Sequence, residues 1–160
     1  MYYLIMVGKL KEELKQRNDF QGLEEEMTLN ILKTAEFVTT VITDLLRPAE
    51  LTVTQYNALR ILRGAGEQGL MCGEIGERMI TKESDITRLL DRLETRGLIT
   101  RERPVENRRA VIAKISSVGR DLLAGLDKPV MACHKQLAGA LSLTKLRSLI
   151  DMLETVRASQ

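Results

Sequence analysis

Apolar residues recur along most of this chain in steps of three and four, the spacing that lines one side of an α-helix. From Ser84 to Arg96, Ile86, Leu89, Leu90 and Leu93 fall at i, i+3, i+4 and i+7. From Leu23 to Leu46, Ile31, Ala35, Val38, Ile42 and Leu45 alternate steps of four and three, the pattern of a helix that packs lengthwise on another. Arg47-Pro48 ends that helix, and Thr52-Val-Thr-Gln55 has the form of a capping box opening the next, to about Arg63, with Tyr56 and Leu59 on its buried side. Near the other end, Ser116 or Ser117 is placed to cap a helix whose apolar positions are Leu122, Leu126, Val130, Cys133, Leu137 and Leu141. Pro129 lies inside it and predicts a kink near Asp127. A last helix follows Ser142, with Leu146, Leu149, Ile150 and Leu153 on one side. Lys9 to Arg17 reads as a charged helical stretch, broken by Asn18 to Gly22.

The pattern changes between Met71 and Ile115. Cys72, Ile75, Gly76 and Met79 give a short helix one buried face. Gly76 on that face fits either a close crossing of two helix backbones or a simple local weakness. Ile80 to Glu83 is then a turn, Thr81 or Glu83 is available to cap the helix that begins near Ser84, and Gly97 stops it. Two segments rich in β-branched residues follow, Leu98 to Arg103 and Ala110 to Ile115, and they predict a hairpin with Arg108 and Arg109 at its tip. Helix, turn, second helix and basic hairpin together spell a winged helix-turn-helix. The fold class expected is mainly α with a small β-hairpin wing (α+β).

The second helix of that unit has a polar face with a definite chemistry. At roughly 100° per residue, Ser84, Arg88, Asp91 and Thr95 lie opposite the leucine stripe, flanked by Thr87 and Asp85. Short hydroxyls and a guanidinium are the groups that read base edges in a major groove, so Ser84, Thr87 and Arg88 are candidates for base contact, with Arg88 suited to guanine. Asp85 admits two roles, acceptor for a cytosine amine or helix cap. Thr81, Lys82 and Arg92 are placed for phosphates, and Arg108 and Arg109 for a wing contact to phosphate or minor groove.

Charge supports this only when it is resolved along the chain. The 24 basic residues nearly balance the 22 acidic ones, yet residues 81–120 hold ten basic against six acidic, and residues 1–50 hold six against nine. The excess cation sits where a polyanion would dock. With 44% hydrophobic and 29% charged residues in 160, the chain has the composition of one soluble globular domain, and 3% aromatics with no Trp disfavours a base-stacking single-strand binder. Two cysteines are far too few for a disulfide scaffold and fit a reducing cytoplasm, and Met1-Tyr-Tyr-Leu-Ile-Met6 is apolar but too short for a membrane span or signal core.

Other chemistry finds little footing. Gly64-Ala-Gly-Glu-Gln-Gly69 matches G-x-G-x-x-G, but it follows a capped helix rather than a buried strand, so it reads as a helix end and loop and not a dinucleotide site. Cys72 and Cys133 have no metal-ligand spacing. Cys72, at a helix start, is a redox candidate that also fits buried filler. His134 is the single histidine and has no partner pattern, so no metal, cofactor or enzymatic function is expected.

The residues from Leu51-Thr-Val-Thr-Gln-Tyr56 through Glu74-Ile-Gly-Glu-Arg78, Asp85-Ile-Thr-Arg-Leu-Leu-Asp-Arg-Leu-Glu94, Gly97-Leu-Ile-Thr-Arg101 and Asn107-Arg-Arg-Ala-Val-Ile112 resemble the MarR family of bacterial transcriptional regulators. Where that family's wing usually reads Asp-x-Arg, this chain has Asn107-Arg108-Arg109. The resemblance implies one domain over residues 1–160, with dimerisation helices over 23–47 and 117–158 around a DNA-binding region over 51–115. It implies a homodimer, a repressor in most cases, that places two recognition helices in successive major grooves of a pseudo-palindromic double-stranded DNA. It also implies release by a phenolic or lipophilic effector bound near Phe37, Val41, Tyr56 and Arg60. The rival readings are a thiol-based redox sensor of the same fold and a helical interaction module without DNA affinity.

Overall fold

The computed structural model describes residues 9–82, 85–103, 111–139 and 141–159. Their contacts divide the chain into two units, residues 1–41 and 42–160. In the first, a short helix α1 (Lys9–Glu13) buries Leu10, and Lys11 pairs with Asp19 beyond it. It also holds most of α2 (Leu23–Leu46), whose first turn carries Glu24, Glu25 and Glu26, the charge that a helix N-terminus favours. Leu23, Met27, Leu32 and Phe37 stand exposed on α2.

The second unit contains the core. Leu46 is fully buried, and the chain then turns through a short 3-10 helix that starts at Arg47-Pro48, so the predicted helix end is found at its predicted residue. Thr52 caps α3 (Val53–Ala65) with the full reciprocal pair: its hydroxyl accepts from the Gln55 amide and the Gln55 side chain accepts from the Thr52 amide, both at 3.1 Å. Gly66 and Gly69 adopt positive φ in the loop that follows, which places the G-x-G-x-x-G run in a helix end and a turn.

A two-residue strand, β1 (Leu70–Met71), leads directly into α4 (Cys72–Arg78), and α5 (Ile86–Thr95) completes the helix pair. Ile75 is fully buried, while Cys72 and Met79 pack partly covered against the core. A methyl group at Gly76 would meet Ile86 of α5 at 3.4 Å, an ordinary contact, so the helices touch there without needing glycine. Neither Thr81 nor Glu83 is the cap of α5: that role belongs to Asp85. At the other end Gly97, with φ of 67°, closes α5 by a Schellman arrangement, its amide donating to Glu94 O and the Leu98 amide to Leu93 O.

Strands β2 (Ile99–Glu102) and β3 (Ile112–Ile115) form the expected antiparallel pair, and β1 adds to the far edge of β3 to give the order β1-β3-β2. Opposed residues share a face of the sheet, so the pairs Ile99 with Ile115 and Arg101 with Ala113 look the same way, into the core. Thr100, Glu102 and Lys114 lie on the other face, where Lys114 pairs with Glu102. The tip residues, Arg108 and Arg109 among them, lie outside the described residues, as do Ser84 and Glu83.

Ser116 caps α6 (Ser117–Ala138), accepting from the Gly119 amide while donating to Gly97 O at 2.6 Å. This helix runs through Pro129 without interruption. Ser142 caps α7 (Leu143–Ala158), in which no residue is buried and Leu143, Ile150 and Met152 are at least half exposed. No helix among the described residues is long and apolar enough to cross a membrane.

At Gly119, α6 lies hard against the residue that precedes β2: a Cβ there would be 2.2 Å from Leu98 O. Gly119→Ala should therefore lower the free energy of unfolding by about 1–3 kcal/mol, as an overpacked site does. Gly125, in the same helix with open space around it, should gain about 0.5–1 kcal/mol on replacement by Ala. Urea denaturation of the two variants checks the opposite signs.

Candidate nucleic-acid interface

Helix α5 is two-sided. Leu89, Leu90 and Leu93 are buried and Ile86 is partly covered, while Thr87, Arg88, Asp91, Arg92 and Thr95 are exposed. Burying three leucines stabilises the packing by about 1.5–3 kcal/mol each, and this determines which way the polar row points. Asp85 accepts from the Arg88 amide at 2.9 Å, so its carboxylate is engaged at the helix start beside the groups proposed for base contact. Thr81 and Lys82 are exposed in the turn before α5. That turn is held by Asn57 of α3, whose side-chain oxygen accepts from the Ile80 amide at 2.9 Å.

The arginines of this region divide by partner. Arg88 and Arg92 have no ion-pair partner among the described residues, and with Asp91 and Arg96 they border an open groove completed by Glu50 and Gln55 at the head of α3. Arg96 is structural: its guanidinium donates to Glu50 O at 2.6 Å and Ala49 O at 3.0 Å, tying the end of α5 to a turn in which Glu50 adopts a positive φ. Arg101 is structural too. From the inner face of β2 it donates to Glu94 at 2.5 and 2.8 Å and pairs with Asp91 at 2.6 Å. The hydrogen bond to Glu94, and secondarily that to Asp91, pushes the Arg101 guanidinium above its usual range against the opposing effect of burial.

Periodicity places Asp91 and Thr95 on the reading face. Both are exposed there, but Asp91 turns to Arg101 and the Thr95 hydroxyl donates to Asp91 O at 2.8 Å. Spacing along α5 could not show this, since the partner comes from a strand whose register only the fold sets. The signal available in sequence is the pair of acids three apart, with a lone arginine in the following strand.

Of the residues expected around an effector, Phe37 and Val41 lie in the first unit, exposed and half-covered. Tyr56 and Arg60 lie in the second. Tyr56 is buried, and the Arg60 guanidinium sits 5.8 Å from its ring centroid, a cation–π contact. One turn on, Arg63 forms a two-pronged bridge to Asp127 of α6 at 2.9 Å per bond. The Arg63 hydrogen bond holds the Asp127 carboxyl below its ordinary value. Cys72 begins α4 half-covered by the core, and Cys133 is buried in α6.

The folded unit of paired helices and a three-stranded wing defines a winged helix-turn-helix protein. The MarR family model matches residues 51–111. The HTH-type transcriptional regulator TtmR of Methylorubrum extorquens (strain PA1) is 31% identical over 144 residues, spanning 88% of this chain and 70% of that protein. A crystal structure of a MarR transcription factor from Planctomyces limnophilus is 36% identical with a TM-score of 0.66, covering 86% of this chain and 99% of that one. This chain belongs to the MarR family. A mutant MarR from E. coli, solved in complex with operator DNA, shares the fold with a TM-score of 0.77 at 21% identity, over 87% of this chain and 99% of that one.

The Arg63–Asp127 bridge carries a pH signature. A carboxyl whose folded value lies below its ordinary 3.8 contributes stability above that value and loses it as pH falls through the lower folded one. Asp127→Asn should thus be less stable than wild type at neutral pH, with the gap closing as the pH is lowered below 3.8. A gap that persists undiminished there would show that the loss is not ionic.

Proposed function

We propose that this protein is a DNA-binding transcriptional regulator, acting as a homodimer on a pseudo-palindromic duplex in the cytoplasm, and that it has no catalytic activity. The observation that carries this is the outward face of α5, where Arg88 and Arg92 stand exposed without an ion-pair partner among the described residues, on a helix whose other face is locked by leucines. In this reading Arg88 and Thr87 reach base edges, joined by Ser84. Arg92, Thr81 and Lys82 take phosphates, as do Arg108 and Arg109 of the wing. Asp85 serves by capping the helix that presents them. Residues 51–115 form the reading head, and the helices over 23–47 and 117–158 join two copies.

Dimerisation is supported by α7, which leaves Leu143, Leu149, Ile150, Met152 and Val156 uncovered, an apolar stripe that a single chain does not bury. An effector is supported by the Tyr56–Arg60 pair, an aromatic ring and a cation suited to a phenolic or otherwise lipophilic anion. Such a ligand acts by preferring the arrangement of the two heads that cannot span DNA.

Selection of bound genomic fragments by the purified protein identifies the duplex. On that duplex, affinity should fall steeply with salt, since phosphate contacts release counterions. Arg88→Ala should lose about 1–3 kcal/mol of discrimination between the site and a mismatched one, whereas Arg109→Ala should weaken both alike. Unchanged discrimination in Arg88→Ala would remove the base-reading role, and salt-independent or undetectable DNA binding would leave an interaction module instead.

A further inference from the structure

Two carboxylates lie close to the surface proposed for DNA, and their placement needs an explanation. On α5, Asp91 is three residues from Arg88, adjacent to Arg92 in sequence and about 60° of helix arc from Arg88. A carboxylate at i+3 from a cation is in pairing range, so Asp91 left to itself competes for the arginine that reads bases. Glu94 follows one step further around, toward the wing. Both acids also repel phosphate. Yet among the described residues Arg88 and Arg92 make no ion pair, whereas Asp91 and Glu94 both converge on one guanidinium, that of Arg101.

The register of the sheet explains why Arg101 can do this. It opposes Ala113, which is fully buried, so its side chain leaves the strand on the core side, where α5 packs. Its side chain is only 21% exposed, against 52% for Asp91 and 38% for Glu94, so the charges meet at the protein's edge of the contact, where solvent screening is weaker than on an open helix face. The shape of the guanidinium fork allows one side chain to hold both acids, since Nε and one terminal nitrogen bind Glu94 while the same terminal nitrogen reaches Asp91.

We infer that Arg101 is a positioning residue for DNA binding: it draws Asp91 and Glu94 toward the wing stem and partly neutralises them, so that Arg88 and Arg92 remain available to the duplex. The inference rests on the DNA-binding reading above. It assigns Arg101 no contact with DNA. Loss of its guanidinium returns Asp91 to Arg88 and leaves an unneutralised carboxylate facing phosphate.

A double-mutant cycle tests it, with the full chain and a random-sequence 30-base-pair duplex as probe, read by fluorescence anisotropy at several salt concentrations and with thermal melting of each variant. Arg101→Gln should weaken binding at least about fivefold, with a shallower salt dependence. Asp91→Asn alone should change affinity less than about twofold, because Asp91 is already held by Arg101. In the Arg101→Gln background the same Asp91→Asn change should recover about fivefold, a non-additivity that a purely structural brace does not produce. If Arg101→Gln does not fold, Arg101→Met, which keeps the apolar stem and removes the charge, takes its place in the cycle. Equal effects of Asp91→Asn in both backgrounds, or wild-type affinity in the folded Arg101 variant, overturn the inference while leaving the DNA-binding reading intact. A wild-type protein with no salt-dependent affinity for the duplex overturns that reading itself.

Discussion

The burial of one face of a ten-residue helix is the constraint on which the rest of the reading head depends. Leu90 and Leu93 are fully enclosed and Leu89 nearly so, and their contact with the surrounding elements fixes the rotation of α5 about its own axis. A helix turned by one residue moves every side chain through about 100°, enough to exchange the leucines for the arginines. The ends are secured as firmly as the middle. Asp85 satisfies the first turn, Gly97 closes the last, and Arg96 anchors the C-terminal end to the carbonyls of Ala49 and Glu50.

The wing is attached to this helix by more than chain continuity. Ser116 joins the start of α6 to Gly97 O, and Gly119 lets α6 approach Leu98 so closely that no side chain fits between them. The stem strand β2 therefore enters at a fixed place, with Arg101 directed at the acids of α5. Packing and electrostatics agree at this point: the register that buries Ala113 and Ile115 is the one that brings Arg101 to Asp91 and Glu94. A slip of one residue would send Arg101 to the opposite face and expose the core side of β3.

In the same unit, Arg63 and Asp127 join α3 to α6, near the buried Tyr56 and its Arg60 neighbour. Membership of the MarR family gives these features a context, since α3 links a reading head to the helix that continues toward α7. The exposed apolar residues of α7 contrast with the closed core around α3 and α5, which satisfies its apolar surface internally.

Much of the architecture was legible in the order of residues alone. The capping box at Thr52, the end of α2 at Arg47-Pro48, the leucine stripe of α5 and the paired strands of the wing depend on local periodicity and turn chemistry, which a linear sequence carries. So did the placing of the Gly64 to Gly69 run at a helix end and loop. What the sequence could not settle were partners far apart along the chain. It placed Asp91 and Thr95 on the polar face of α5, offered Thr81 or Glu83 as the cap of α5, passed over the two residues of β1, and left the purpose of Gly76 open. Tertiary structure decided these matters, because Asp91 is claimed by a strand residue ten positions later, β1 is too short to be a strand except against β3, and Gly119, unlike Gly76, sits at an approach too close for a side chain. Periodicity states which side of a helix faces inward; only packing states which charge from another element waits there.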